Sequence, residues 1–117
     1  MRYMLLIYGE EPAVEPSKEE MDAEMARWWA YDSAVKEAGV YVGGEALQPS
    51  QTATSVRVKD DERIVTDGPF AETREVLGGY YLIDVPDLDT ALDWAARCPG
   101  ATLGTMEVRP VMEIDPA

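Results

Sequence analysis

Asp67, Glu72, Arg74 and Glu75 fall close together in the run Asp67-Gly68-Pro69-Phe70-Ala71-Glu72-Thr73-Arg74-Glu75. Carboxylates can take or give protons and a guanidinium can hold an anion, so this run is the first candidate for acid-base work. In its opening turn the Asp67 side chain is expected to hydrogen-bond backbone amides, Gly68 to permit unusual dihedrals and Pro69 to fix its own φ. The motif explains itself as a rigid turn. The same rigidity would hold the Asp67 carboxylate in one orientation, which a general acid or base requires. Both readings stand: a turn alone, or a turn that also lines a site. Arg74 is a candidate ligand contact, with a solvated charge as the plainer alternative.

The chain contains no histidine. Ser-His-Asp and Cys-His devices and zinc sites of the usual His or multi-Cys kind are therefore excluded. No G-x-x-x-x-G-K loop occurs, and no G-x-G-x-x-G follows a strand. Carboxylates, tyrosines and Arg74 remain, and the residues call for no metal and no cofactor. Asp32 is the second candidate acid or base, read either as a functional acid or as a rim residue paired with a backbone amide or an arginine. Glu45, Tyr8, Arg74 and Tyr81 complete the set as ligand contacts. Tyr80 and Tyr81 are neighbours in a strand and point to opposite faces. Trp28 and Trp29 read as core, and Cys98, at a helix end, as inert.

These residues need elements to position them. Arg2 to Tyr8 alternates Tyr3, Leu5 and Ile7 with Met4, Leu6 and Tyr8, the pattern of a strand covered on both sides. Ser17 and Glu20 form a capping box that opens a long helix, and Gly39 closes it. Met21, Met25, Trp28 and Val35 make its apolar stripe, and Asp32 lands inside that stripe. Val40 to Val42 reads as a second strand, broken at Gly43-Gly44 and continued by Glu45-Ala46-Leu47, the glycines marking a bulge or a close approach. Thr52 to Lys59 and Arg63 to Thr66 form a hairpin turning at Asp60-Asp61. Leu77 to Val85 is a further strand. Asp87 or Asp89 caps a second helix with Leu88, Ala91, Leu92, Ala95 and Ala96 in register, stopped by Pro99-Gly100. Thr105 to Met112 is the last strand, with Met106 and Val108 alternating with Glu107 and Arg109.

The order is that of an α+β, ferredoxin-like split βαβ plan with an inserted hairpin. Two helices cover one face of such a sheet. Apolar residues on the other face imply a second copy of the chain, with sheets packed face to face as a homodimer. The candidate site then lies in a cleft between sheet and helix, lined by Asp67, Glu45, Asp32 and a tyrosine, where a small molecule is bound or a proton transferred.

At 117 residues the chain is expected to be one domain, 1–117. No apolar run approaches the roughly 20 residues of a membrane span, and the short apolar start ends too soon for a secretory signal. The expected location is cytoplasmic, in keeping with a single cysteine. A net charge of -13, from 23 acidic and 10 basic residues, argues against a nucleic-acid partner and an anionic membrane. Its plainest meaning is a solvated, self-repelling surface.

The sequence resembles the DGPF family of YCII-related proteins. The likeness is carried by Tyr3-Met4-Leu5-Leu6-Ile7-Tyr8, Ala38-Gly39-Val40, Gly44-Glu45-Ala46-Leu47-Gln48-Pro49 and the block from Asp67-Gly68-Pro69-Phe70 through Leu77-Gly78-Gly79-Tyr80-Tyr81, and it covers nearly the whole chain. The resemblance implies a dimeric α/β-barrel of ferredoxin-like protomers. Related YCII proteins carry a His-Asp pair suggestive of lyase or dehydrochlorinase-like chemistry on small cyclic compounds. The corresponding helix position falls near Trp28 here, so that mechanism does not carry over. The resemblance also implies a link to extracytoplasmic-function sigma factors. A non-enzymatic regulatory protein, with a sigma factor as partner, therefore stands beside the small-molecule reading.

Overall fold

The computed structural model describes residues 1–115, so the last two residues of the expected domain lie outside the described residues. In chain order the elements are β1 (Arg2–Gly9), α1 (Lys18–Glu37), β2 (Tyr41–Ala46), β3 (Thr54–Lys59), β4 (Glu62–Asp67), β5 (Val76–Asp84), α2 (Leu88–Arg97), α3 (Gly100–Leu103) and β6 (Gly104–Pro110). The apolar residues on both faces of β1 suit a central strand, and β1 pairs antiparallel with β5 on one side and β6 on the other. β2 joins along β5, which gives the order β2-β5-β1-β6, while β3 and β4 form a separate two-stranded sheet. This is the expected ferredoxin-like plan with its inserted hairpin.

Register decides which side chains meet. Leu5 lies opposite Tyr81 and Val108, and Tyr3 opposite Ile83, so these residues share one face of the sheet. Tyr31 and Val35 of α1, Ala91 and Ala95 of α2, and Cys98 cover that face and complete the core. Each large apolar side chain buried there contributes about 1.5–3 kcal/mol. Met4, Leu6, Tyr8, Tyr80 and Leu82 share the opposite face by the same register and take no part in the core cluster. Tyr81 is thus the tyrosine under the helices, and Tyr80 faces the other way.

Ser17 starts α1 by accepting a hydrogen bond from the Glu20 amide at 3.1 Å. Gly39, at φ +75°, ends it. The buried stripe differs from expectation. Trp28, Tyr31 and Val35 face the sheet, whereas Met21, Met25 and Trp29 are exposed. Met21 and Met25 lie on the same side of the helix as Trp28 and Val35, but nothing among the described residues covers them there, so the N-terminal half of α1 leaves its apolar side open.

Gly43 and Gly44 do not break the second strand. A bulge falls between Tyr41 and Gly43, and Gly44 lets β5 approach so closely that a Cβ would stand 2.8 Å from the Tyr80 carbonyl oxygen. Pro99-Gly100 ends α2 but leads into the single turn α3, since proline is tolerated at a helix start. The hairpin turns through Asp60 and Asp61, at φ +51° and +65°, the left-handed pair that a tight two-residue turn demands. Asp87, not Asp89, caps α2, accepting from the Thr90 amide at 2.8 Å.

Candidate functional site

The six candidate residues are divided among three places. Asp32 and Tyr81 meet under α1. Glu45 lies opposite Tyr80, and Tyr8 opposite Thr105, so both belong to the sheet face away from the helices. Asp67 and Arg74 line a cleft beside the foot of the hairpin. The single cleft expected to hold Asp67, Glu45 and Asp32 together is therefore not formed, because strand alternation sends Glu45 and Tyr81 to opposite sides and the hairpin carries Asp67 away from the helix.

Under α1 the polar groups satisfy one another. Tyr81 donates its hydroxyl hydrogen to Asp32 Oδ1 at 3.0 Å, and Lys36 Nζ sits 2.8 Å from Asp32 Oδ2. Both carboxylate oxygens are occupied. The partner on the helix is a lysine one turn away, not the arginine or backbone amide that the sequence suggests. Lys36 also lies over the Tyr41 ring, and Tyr31 packs edge-on against Tyr81 at 5.3 Å. The Lys36 ammonium, and after it the Tyr81 hydroxyl, hold Asp32 below the usual carboxylate range. Burial first, then the neighbouring carboxylate, pushes Tyr81 well above an ordinary phenol. Tyr81 keeps its proton and Asp32 stays ionised, so the pair fastens α1 to the sheet.

The cleft is organised differently. Its volume is about 600 Å³, and Glu11, Ser50, Gln51, Glu72 and Thr73 line it with Asp67 and Arg74. Topology explains the gathering: β1 and β2 end, and β5 begins, at one end of the sheet, so their connecting loops converge there. Glu11 is fixed by Ser50, accepting from the Ser50 amide at 2.9 Å and from its hydroxyl. The Ser50 hydroxyl, then its amide, lower the Glu11 pKa. Arg74 pairs with Glu10. Sequence reasoning missed Glu10, Glu11, Ser50 and Gln51, which local pattern cannot find because only the chain's return brings them to Asp67.

The turn holding Asp67 departs from expectation in one respect. Gly68 secures it: its amide donates to the Ala53 carbonyl at 2.7 Å and its own carbonyl accepts from the Ser55 hydroxyl at 2.8 Å, at φ +92°. Among the described residues the Asp67 carboxylate makes neither a hydrogen bond nor an ion pair. Phe70 is 90% exposed. A second, apolar groove of about 290 Å³ runs along Leu92, Ala95, Ala96, Met106 and Val108, and offers little to acid-base chemistry. Cys98 is buried, and burial raises its thiol pKa, which keeps it a poor nucleophile. Among the described residues no helix is long and apolar enough to cross a membrane, and no three His, Cys, Asp or Glu side chains gather as a metal site would require.

Fold and cleft together define an α+β protein of ferredoxin-like plan with a polar pocket at one end of its sheet. The model of the YCII-related domain matches residues 1–115, and the chain belongs to that family. An uncharacterised protein of Rhizobium meliloti (strain 1021) is 41% identical over 114 residues, which span 95% of this chain and 92% of that protein.

Proposed function

We propose that the protein binds a small molecule in the cleft at the foot of the hairpin, where Asp67 takes or gives a proton and Arg74 contacts the ligand. One observation carries this reading. The Asp67 carboxylate lines the cleft without serving the turn that positions it, since Gly68 and Ser55 hold that turn. The turn's backbone is held by other groups, so the Asp67 carboxylate stands at the cleft with its hydrogen-bonding capacity unspent, as a group meant to meet a ligand would. Asp32 and Tyr81 stand apart from this site and act as a structural pair that fastens α1 to the sheet. Glu45 and Tyr8 go with the open sheet face, which a second copy covers to make the dimeric α/β-barrel. The protein works in the cytoplasm, and placement in the DGPF branch rests on the block from Asp67 to Tyr81.

The test is a ligand screen read by thermal shift and by ligand-observed NMR. Binders should lose their effect with Asp67→Asn and weaken with Arg74→Ala. Binders indifferent to both substitutions would place the site elsewhere and overturn the reading.

The net charge of -13 favours a second reading, since it suits a basic protein surface. In it the protein regulates an extracytoplasmic-function sigma factor by direct contact and the cleft is vestigial. Purified protein should then retain such a factor at low salt and release it as salt rises. No retention at low salt would count against it.

A further inference from the structure

Charge is unevenly spread in the cleft at the foot of the hairpin, and its sign bears on what can enter. The charged side chains of its lining are three acids, Glu11, Asp67 and Glu72, and one base, Arg74. Arg74 is already neutralised, since its Nε donates to Glu10. Ser50 holds Glu11 through uncharged groups and lowers its pKa, so Glu11 keeps its negative charge. Asp67 and Glu72 make neither a side-chain hydrogen bond nor an ion pair among the described residues. The rest of the chain, at a net charge of -13, adds to this field and does not offset it.

A phosphate, sulfate or carboxylate entering the cleft meets uncompensated like charge, and the arginine that would receive it already holds a carboxylate. A cation is favoured on both counts. Mg²⁺ and Ca²⁺ need a shell of six or more oxygens, and among the described residues no three His, Cys, Asp or Glu side chains gather to begin one. At about 600 Å³ the cleft has room for an organic molecule instead. Its uncharged lining sets the rest of that molecule's character. Ser50, Gln51 and Thr73 are polar, and the terminal amino groups of Arg74 make no hydrogen bond among the described residues, so donors stand ready for hydroxyl oxygens. Phe70, next to Pro69 of the cleft wall and 90% exposed, presents a ring face of the kind that attracts an ammonium.

We propose that the ligand of the cleft is a small hydroxylated amine, whose ammonium meets Asp67 and Glu72 and whose hydroxyl groups meet the terminal amino groups of Arg74. This rests on the small-molecule reading of the cleft and adds to it the ligand's charge and chemical class.

Glucamine, sorbitol and gluconate test it, since they share an open six-carbon chain of hydroxyl groups and are cationic, neutral and anionic near neutral pH. Titrations followed by ligand-observed NMR should rank their affinities in that order, with glucamine about fivefold or more tighter than sorbitol. That advantage should shrink as salt is raised. Asp67→Asn and Glu72→Gln should each weaken glucamine binding about threefold or more, and Phe70→Ala about twofold, with the melting temperature of the ligand-free protein held. Sorbitol or gluconate binding as tightly as glucamine, and losing its effect with Asp67→Asn, would overturn the hydroxylated amine and keep the cleft as the site. No binding of glucamine at millimolar concentration would overturn it too, leaving the cleft to the wider screen. Glucamine binding indifferent to Asp67→Asn, Glu72→Gln and Arg74→Ala would overturn the reading of the cleft and this inference with it. Stabilisation by Mg²⁺ or Ca²⁺ alone that Asp67→Asn abolishes would make the cation a metal ion and overturn the amine.

Discussion

Asp32 and Asp67 sit in two regions that use carboxylates in opposite ways. Under α1, Asp32 gives one oxygen to Tyr81 and the other to Lys36. At the foot of the hairpin, Asp67 makes no such commitment among the described residues, and the backbone of Gly68 holds its turn instead. Asp32 is partly shielded from water, with 21% of its side chain exposed, so local partners replace part of the hydration it loses. A cleft open to water imposes no such demand. The committed carboxylate belongs to the fold, and the uncommitted one has no structural partner among the described residues.

Core truncation should separate the two regions most sharply. Leu5→Ala or Ile83→Ala, both fully buried, should cost about 2–5 kcal/mol and lower the melting temperature by ten degrees or more. A loss under 1 kcal/mol would mean that the sheet face under the helices is not the main core.

Tyr81→Phe comes next, at about 1.5–3 kcal/mol for a hydrogen bond to a charged group, and a double-mutant cycle with Asp32→Asn should show the two are coupled. The same variants read the pH dependence. The folded-state pKa of Tyr81 is raised, so its contribution is present below about pH 10 and is lost as pH climbs through the folded value; Tyr81→Phe should flatten that alkaline fall. The folded-state pKa of Asp32 is lowered, so its contribution is present above about pH 4 and is lost as pH falls through the folded value. Asp32→Asn should flatten the acid limb. An additive cycle, or pH limbs unchanged in both variants, would dissolve the contrast.

Gly68→Ala should cost about 1 kcal/mol or more, since φ +92° is strained for any residue with a Cβ. If Gly68→Ala is neutral, the backbone is not what holds the turn, and the duty returns to Asp67.

Most of the architecture was legible because period and punctuation are local. The alternation of Tyr3, Leu5 and Ile7, the Ser17 cap and the two helices separated by strands specify the ferredoxin-like order. What the pattern could not tell was cover. The period of α1 marks Met21 and Met25 as apolar neighbours of Val35, but not that they stay exposed while Val35 is buried. Similarly, the motif from Asp67 to Phe70 announces a turn, while the identity of the group that holds it depends on Ala53 and Ser55, across the hairpin. Residue type marks candidates one at a time. Their grouping followed from strand register, which sends Glu45 and Tyr81 to opposite faces and brings Glu11 and Ser50, unremarkable in the sequence, to Asp67.

The most direct test of the account is the melting temperature of Asp67→Ala against wild type, at one fixed protein concentration because self-association, if present, makes melting depend on it. If the carboxylate does nothing for the turn, the melting temperature should stay within about two degrees or rise, as expected where a side chain is retained for a site. A fall of several degrees, the size of a lost capping or turn hydrogen bond of about 0.5–2 kcal/mol, would make Asp67 part of the architecture and contradict its assignment to the cleft.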